Sequence, residues 1–416
     1  MAVAKTFCKE CGGDAVPHRL TYITVGLDET LRPLFAPGPA MRFFSRWLYE
    51  LERRATPFIL RGLARLGHAT MLDAPDEDTL LLAKMLWEEA PKRGITVREV
   101  RLFGLARNLF LAKLPDGREI AYEGIPLPPR GILQAPWMDN KAEMKRRFRK
   151  LGFPVAKGGE ALTDGGALRI FDALEAPVIV KPYSGSASRH TTLHIRNKAE
   201  LVRAAHVARE VAPFALVEEE LRGPVFRATV VDGRLSATLR RDPPHVIGDG
   251  KRTIEALVAE ANKNPARQGP YFHEMKIDDA ARAELRYQGL APDSVPEKGR
   301  RVTLHQKVNW SVGGTTADVS DAVHPENRAL FEAVAEALAA PIVGFDFIIE
   351  DIGKPWKEQA RAGFIESNSM PFFDNHHLPF EGEPRNVAAD IWAMTEAAFM
   401  KKGGEGREAA PDILPS

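Results

Sequence analysis

Apolar residues recur at helical spacing in "MRFFSRWLYELERR" (41–54), where Phe43, Phe44, Trp47, Leu48 and Leu51 share one stripe. Such a stripe is more often core than a cofactor face. Residues 78–94, "DTLLLAKMLWEEAPKRG", read as a second helix. The runs "TVREVRLF", "NLFLAKL" and "REIAYEGIPL" then read as strands, the last two joined by a turn at "PDG". "PLPPRG" (126–131) stiffens the chain and marks a boundary, so residues 1–130 read as an N-terminal α/β region.

Residues 131–400 read as a second, larger α/β domain. "DNKAEMKRRFRKLGFPVA" is a helix stopped near Gly152 and Pro154, and "APVIVKPYSG" is a buried strand running into a turn. The helix "NKAELVRAAHVARE" and the strand "FALVEEEL" follow. In "FRATVVDGRLSATLRR" two alternating runs flank Asp232-Gly233, which suits a tight hairpin turn. After a turn at residues 248–250 comes the helix "TIEALVAEANK". "NRALFEAVAEALAA" is a further helix, with Leu330, Phe331, Val334 and Leu338 inward, and the apolar strand "PIVGFDFIIED" succeeds it. Residues 401–416 read as a flexible tail. No internal repeat stands out.

A chain of 416 residues exceeds what one core usually serves. Apolar residues make up 44%, charged residues 27%, and the formal net charge is +1, an ordinary globular profile that calls for no nucleic-acid partner. The basic run "KAEMKRRFRK" reads most simply as a solvated helix face. No apolar stretch reaches membrane-spanning length, and "MAVAKTFCKECGG" lacks the apolar core of a signal peptide, so a cytoplasmic protein without a membrane partner is expected. Cys8 and Cys11 form a lone C-x-x-C. Zinc there would need His18 and His68 to complete four ligands; a pair of reduced thiols is the simpler reading.

The chemistry concentrates late in the chain. Asp346 lies inside an apolar strand, where an ionised carboxylate must pair, take a proton or bind a cation. In "FIESN", Glu366 and Asn368 point one way by the two-residue period, while Ile365 and Ser367 point the other. Three oxygen-bearing side chains on adjacent strands would suit Mg²⁺. Ordinary hydrogen bonding to loops explains the same residues equally well. Lys181, after the apolar run "PVIV", stands where an ammonium can meet phosphate, and Lys141 opens a helix; each alone is a weak signal.

Together these pieces resemble the ATP-grasp superfamily of carboxylate–amine ligases and, within it, the ATP-grasp domain of cyanophycin synthetases. The resemblance is carried by "DNKAEMKRRFRKLGFPVAKG", "PVIVKPYSG", "LVEEELRGPVFRATVVDGRLSATLRRDPPHVIGDGKRTIEALV", "NWSVGGTTADVSDAVHPEN", "GFDFIIEDI" and "FIESN", over roughly residues 136–395. It implies an ATP-grasp fold, with two α/β subdomains sandwiching a nucleotide behind a smaller N-terminal α/β domain. It implies ATP with Mg²⁺, or Mn²⁺ in its place, and an ADP-forming ligase that joins a small-molecule or peptide carboxylate to an amine through an acyl phosphate. Lys141 and Lys181 match the lysines on nucleotide phosphates, and Ser184, Gly185 and Ser186 the loop over them. Glu218, with the backbone of Glu219, Glu220 and Leu221, matches the adenine hinge. Asp346, Glu366 and Asn368 match the metal ligands. Arg227 and Arg241 match arginines near the phosphates, and Asn309 with Gly313 and Gly314 a loop on the acceptor side.

Departures from that pattern accompany the matches. The phosphate loop "YSGSASRH" is glycine-poor, Val225 stands where an acidic residue for the ribose is common, and Phe372 follows Pro371 where glycine often does. Asp374, His376 and His377 read either as a substrate-recognising group or as a polar loop, the loop being the simpler reading. Two alternatives follow: a non-catalytic ATP-grasp relative acting as a nucleotide-binding or scaffold protein, and a small-molecule kinase of the same fold. A homo-oligomer is left open.

Overall fold

The computed structural model describes residues 18, 21–23, 39–105, 108–127, 138, 140–183, 190–269, 271–306, 308 and 310–400, with residues 39–50, 53 and 400 as backbone alone. Cys8, Cys11, the 128–131 part of the boundary and the 401–416 tail lie outside them.

The N-terminal unit opens with the helix Pro39–Arg65 and holds an antiparallel sheet in the order β1 (Ala69–Leu72), β2 (Thr96–Leu102), β3 (Leu109–Lys113), β4 (Glu119–Glu123). Alternation gives the sheet two apolar faces. Val100 and Leu111 pack with Leu60 of the long helix on one side, while Phe110, Ala112, Ile120 and Tyr122 meet Leu82, Leu86 and Trp87 of the helix Leu81–Glu89 on the other. Strand β1 escapes the sequence reading because four residues are too few to show a period. The C-terminal helix Val387–Met400 closes the second face with Ile391 and Trp392, so this unit shares its core with the far end of the chain.

A second antiparallel sheet runs in the order β5 (Gly158–Ala161), β8 (Ala215–Glu219), β6 (Val178–Pro182), β7 (Thr192–Ile195). The helices Asp164–Asp172 and Lys198–Arg209 cover it, the latter through Leu201, Ala204, Ala205 and Ala208. Both helices are N-capped by side chains that accept a backbone N–H: Thr163 from Gly166, and Asn197 from Glu200.

The third sheet has the order β13 (Thr315–Asp318), β10 (Arg234–Asp242), β9 (Val225–Val231), β14 (Ile342–Ile348), β15 (Gly363–Asn368). Asp232 and Gly233, with φ of 49° and 75°, make the β9–β10 turn that the sequence predicts. One face buries Phe226, Ala228, Val230, Phe345, Phe347 and Phe364 beneath Leu330, Phe331 and Val334 of the helix Pro325–Ala337 and Phe148 of the helix Lys141–Lys150. A small ladder, β11 (His245–Ile247) with β12 (Arg301–Thr303), carries its own apolar cluster under the helices Ile254–Ala261 and Asp279–Tyr287. The architecture is the expected mixed α/β class, and its named strand pairs are antiparallel.

Candidate functional site

The opposite face of the third sheet is polar. Arg227 of β9, Asp346 of β14 and Glu366 of β15 are successive cross-strand partners, so their side chains form one row. A bulge sets this register. Phe347 pairs with Phe364 but Asp346 pairs with Glu366, which leaves Ile365 as the extra residue. Because the side-chain period is two, that insertion leaves Phe364 in the core and turns Glu366 to the polar face. The next pair on this face is Gly344 with Asn368; Ser367, paired with Phe345 in between, donates from its hydroxyl to the Met138 carbonyl at 2.6 Å.

Asp346 is 3% exposed and meets the demand for a partner twice over. Its Oδ1 accepts from Arg227 Nε at 2.5 Å and its Oδ2 from Arg241 Nη1 at 3.0 Å. Burial alone would raise its pKa, but the two guanidiniums hold it below the usual carboxylate range. Glu366 faces Lys141 Nζ at 3.6 Å. Asn368 Nδ2 donates to the Gly344 carbonyl at 3.5 Å.

A second charged group faces this row from the β5–β8 sheet. Lys181, at the end of β6, lies 2.9 Å from Glu218 of β8, and Lys145 binds both oxygens of the same carboxylate at 2.5 Å. All three are buried. Burial opposes the charge on Glu218, yet the two ammoniums outweigh it and hold the carboxyl down at about 2. Desolvation draws Lys145 down to about 7, while Glu218 holds Lys181 above its usual value against the same burial. Sequence reasoning missed Lys145. The solvated-face reading of "KAEMKRRFRK" is therefore corrected: Ala142, Met144, Lys145 and Phe148 of that helix are buried. The helix reaches both sheets, through Lys141 to Glu366 and through Lys145 to Glu218.

Along the strand assigned to adenine, Glu219 Oε1 accepts from Lys157 N at 2.9 Å and Glu220 Oε2 from His194 N at 2.8 Å. Leu221 follows the end of β8 and is partly exposed. Gly313 and Gly314 are buried, and a Cβ on Gly313 (φ +92°) would come within 2.6 Å of the Met275 side chain. Arg267 donates to the Gly313 carbonyl at 2.9 Å. Ser184, Gly185, Ser186 and Asn309 lie outside the described residues.

The polar-loop reading of residues 374–377 is also corrected. Asp374–His377 form a short helix with Asp374 and His376 buried. His376 Nε2 lies 2.7 Å from the Thr229 hydroxyl, and His377 Nε2 accepts from Ala388 N at 3.1 Å. Asp374 Oδ1, Asn375 Oδ1 and His376 Nδ1 are buried without a hydrogen-bond partner. Desolvation raises the pKa of Asp374. Unsatisfied buried polar atoms are costly, roughly 1–3 kcal/mol each.

The donor set fits a hard divalent ion: two carboxylates and an amide oxygen, all hard oxygen donors, on adjoining strands. Asp346 would have to yield one arginine contact to take part. In this group of charges, the five cationic residues Lys141, Lys145, Lys181, Arg227 and Arg241 outnumber the carboxylates Asp346, Glu366 and Glu218, a positive surplus that suits a metal-bound polyphosphate.

No protein-family model matches the chain. Over 319 residues, 74% of its length, it is 33% identical to cyanophycin synthetase of Trichormus variabilis. Over 323 residues it is 29% identical to the glutathione biosynthesis bifunctional protein of Clostridium perfringens, of which it covers 41%. The crystal structure of a bifunctional glutathione synthetase from Pasteurella multocida superimposes with a TM-score of 0.58 at 24% identity, over 77% of this chain and 44% of that one. Fold and sequence similarity define an ATP-grasp protein. The chain belongs to the ATP-grasp superfamily, with cyanophycin synthetases among its relatives. It spans about a third of the length of those synthetases. Among the described residues, no helix is long and apolar enough to cross a membrane.

Proposed function

We propose that the chain is an ATP- and Mg²⁺-dependent carboxylate–amine ligase. The observation that carries this reading is the convergence of Lys141, Lys181, Arg227 and Arg241 on the row Asp346–Glu366–Asn368. In the proposed reaction the γ-phosphoryl group of ATP passes to a substrate carboxylate, releasing ADP. The amine then attacks the acyl carbon, expelling inorganic phosphate, losing a proton and leaving an amide. When bound, Mg²⁺ would neutralise phosphate charge, held by Asp346, Glu366 and Asn368. The rest is positioning: Lys141 and Lys181 hold the polyphosphate, and Arg227 and Arg241 face the charge that develops on the transferred group. Asp374, Asn375 and His376 line the side where the acceptor would dock, and their unpaired atoms call for a polar or cationic acceptor. Localisation in the cytoplasm and action on free amino acids or peptides are part of the same proposal.

Incubation with Mg-ATP and a panel of amino acids and dipeptides should give amine-dependent ADP release, and hydroxylamine should trap the acyl phosphate. A stable phosphorylated product formed without an amine would make the chain a kinase; absence of nucleotide binding would make it a scaffold. Asp346→Asn should lower turnover at least 100-fold. Because it also removes the negative charge that holds buried Arg227 and half-buried Arg241, it should cost roughly 2–3 kcal/mol in a urea titration.

A further inference from the structure

The β5–β8 sheet and the β11–β12 unit meet at a pair of rings that the proposed reaction does not use. His194 of β7 lies flat on Tyr287, the last residue of the helix Asp279–Tyr287, with ring centroids 4.6 Å apart and planes 8° apart. Behind the imidazole, Glu220 holds His194 twice, its Oε1 2.7 Å from Nδ1 and its Oε2 accepting from the backbone N at 2.8 Å. Gln306, shortly after β12, brings Nε2 to 3.5 Å from His194 Nε2 and donates from that nitrogen to Glu284 Oε1 at 2.8 Å. We propose that His194 and Tyr287 form a clasp, which holds the β5–β8 sheet against the β11–β12 unit and must part before bound nucleotide can leave. The clasp rests on the ligase reading, which supplies the nucleotide.

The backbone around His194 is shaped for this contact. Val178 pairs with Ile195 but Val180 with Thr192, so β7 holds one residue more than β6 between those pairs. An extra residue in an edge strand makes a bulge, and a bulge re-aims a side chain. His194 lies in it with φ of +61°, a left-handed conformation uncommon for a residue with a side chain. Glu220 fixes the ring. A carboxylate only accepts, so Nδ1 carries the proton, and the imidazole cannot swing away from Tyr287 without losing that bond. On the other side, Gln288 donates to the Thr303 carbonyl at 2.7 Å and accepts from Thr303 N at 3.2 Å, which ties the end of the Tyr287 helix to β12.

Each half of the clasp reaches a different part of the site. Glu220 belongs to the segment matched to the adenine hinge, and β7 pairs with β6, which carries Lys181. The β11–β12 unit includes Met275, against which Gly313 of the loop matched to the acceptor side lies too close for a side chain. The strength also suits a contact that opens. Tyr287 is 55% exposed and His194 partly so, and losing one such ring pair changes an equilibrium by about two- to tenfold. A contact of that size can break and re-form in every cycle, whereas a core contact cannot.

Stopped-flow release of N-methylanthraniloyl-ADP from the full chain with Mg²⁺ tests the clasp. Tyr287→Ala should release the analogue about three- to tenfold faster than wild type, while Tyr287→Phe, which keeps the ring, should stay within about twofold. The double variant His194→Ala/Tyr287→Ala should be no faster than the faster single variant, because the two rings make one contact. Tyr287 lies at the surface, so its variants should melt within about 2 °C of wild type. Wild-type release from Tyr287→Ala, release from Tyr287→Phe as fast as from Tyr287→Ala, or independent effects of the two alanines would overturn the clasp and leave the ligase reading standing. Failure of the wild type to bind the analogue at all would overturn the ligase reading and, with it, the clasp's hold on nucleotide.

Discussion

Glu218 concentrates the energetics of the site in one carboxylate. Two buried ammoniums, Lys145 and Lys181, depend on it for a counter-charge. Removing one partner of a buried cluster is far costlier than replacing the whole, about 3–5 kcal/mol, because the remaining charges stay desolvated. Glu218→Gln should therefore lower the urea midpoint markedly, and adding Lys145→Met should recover part of the loss; a Glu218→Gln protein as stable as wild type would disprove the cluster's role. At this scale the sequence is half legible. Lys181, Asp346, Glu366 and Asn368 stand out because each is polar inside or beside an apolar run, where chemistry must account for it. Lys145 does not, since it sits among basic neighbours and its partner is 73 residues away. Nothing local separates a buried lysine in such a run from its solvated companions.

Among the elements, the β14–β15 pair does the positioning. Its bulge is invisible in "GFIESN", whose simple alternation would put Phe364 on the same face as Glu366; the hairpin at Asp232-Gly233 is visible because turn chemistry is local. Gly344 allows the arginine row to lie flat on the sheet. A Cβ there would approach Pro371 Cβ at 2.8 Å and Arg227 Nη1 at 3.4 Å. Gly344→Ala should displace Arg227 from Asp346 and cost about 1–3 kcal/mol by overpacking, with at least a tenfold loss of ATP affinity by calorimetry. The short helix Asp374–His377 gives the pH dependence. Burial, aided by the nearby Arg227, draws His376 down to about 3, and burial draws His377 down to about 4. Both values lie below the ordinary 6.5, so the unfolded chain takes up protons first. Stability is thus full above roughly pH 6.5 and is lost as pH falls toward those values, on the order of 3 kcal/mol for one such histidine between pH 7 and 4.5. Denaturant titrations across that range should show the decline, and His376→Gln should flatten it.

For the whole molecule, the boundary read near residue 130 separates elements along the chain but not cores. The C-terminal helix returns to complete the N-terminal unit, a long-range pairing that a single sequence cannot reveal. Trp392, fully buried, donates from its indole N–H to the Leu86 carbonyl at 2.9 Å and packs edge-on against Tyr122; Thr395 donates to the Pro126 carbonyl at 2.9 Å, and Arg93 meets Glu396 at 2.8 Å. The cluster is continuous with Val231, Ala237 and Ile342 at the end of the third sheet, so it links the first unit to the sheet that bears the acid row. Trp392→Ala removes the largest side chain at that junction and should cost about 3–5 kcal/mol. If the two units were independent, only a local transition would shift. The shared core requires a loss felt on both sides: hydrogen exchange should accelerate in β3 and β4, which touch the indole's neighbours, and also in β9 and β14. Acceleration confined to β1–β4 would mean that the first unit folds by itself and that the C-terminal helix is only its strap.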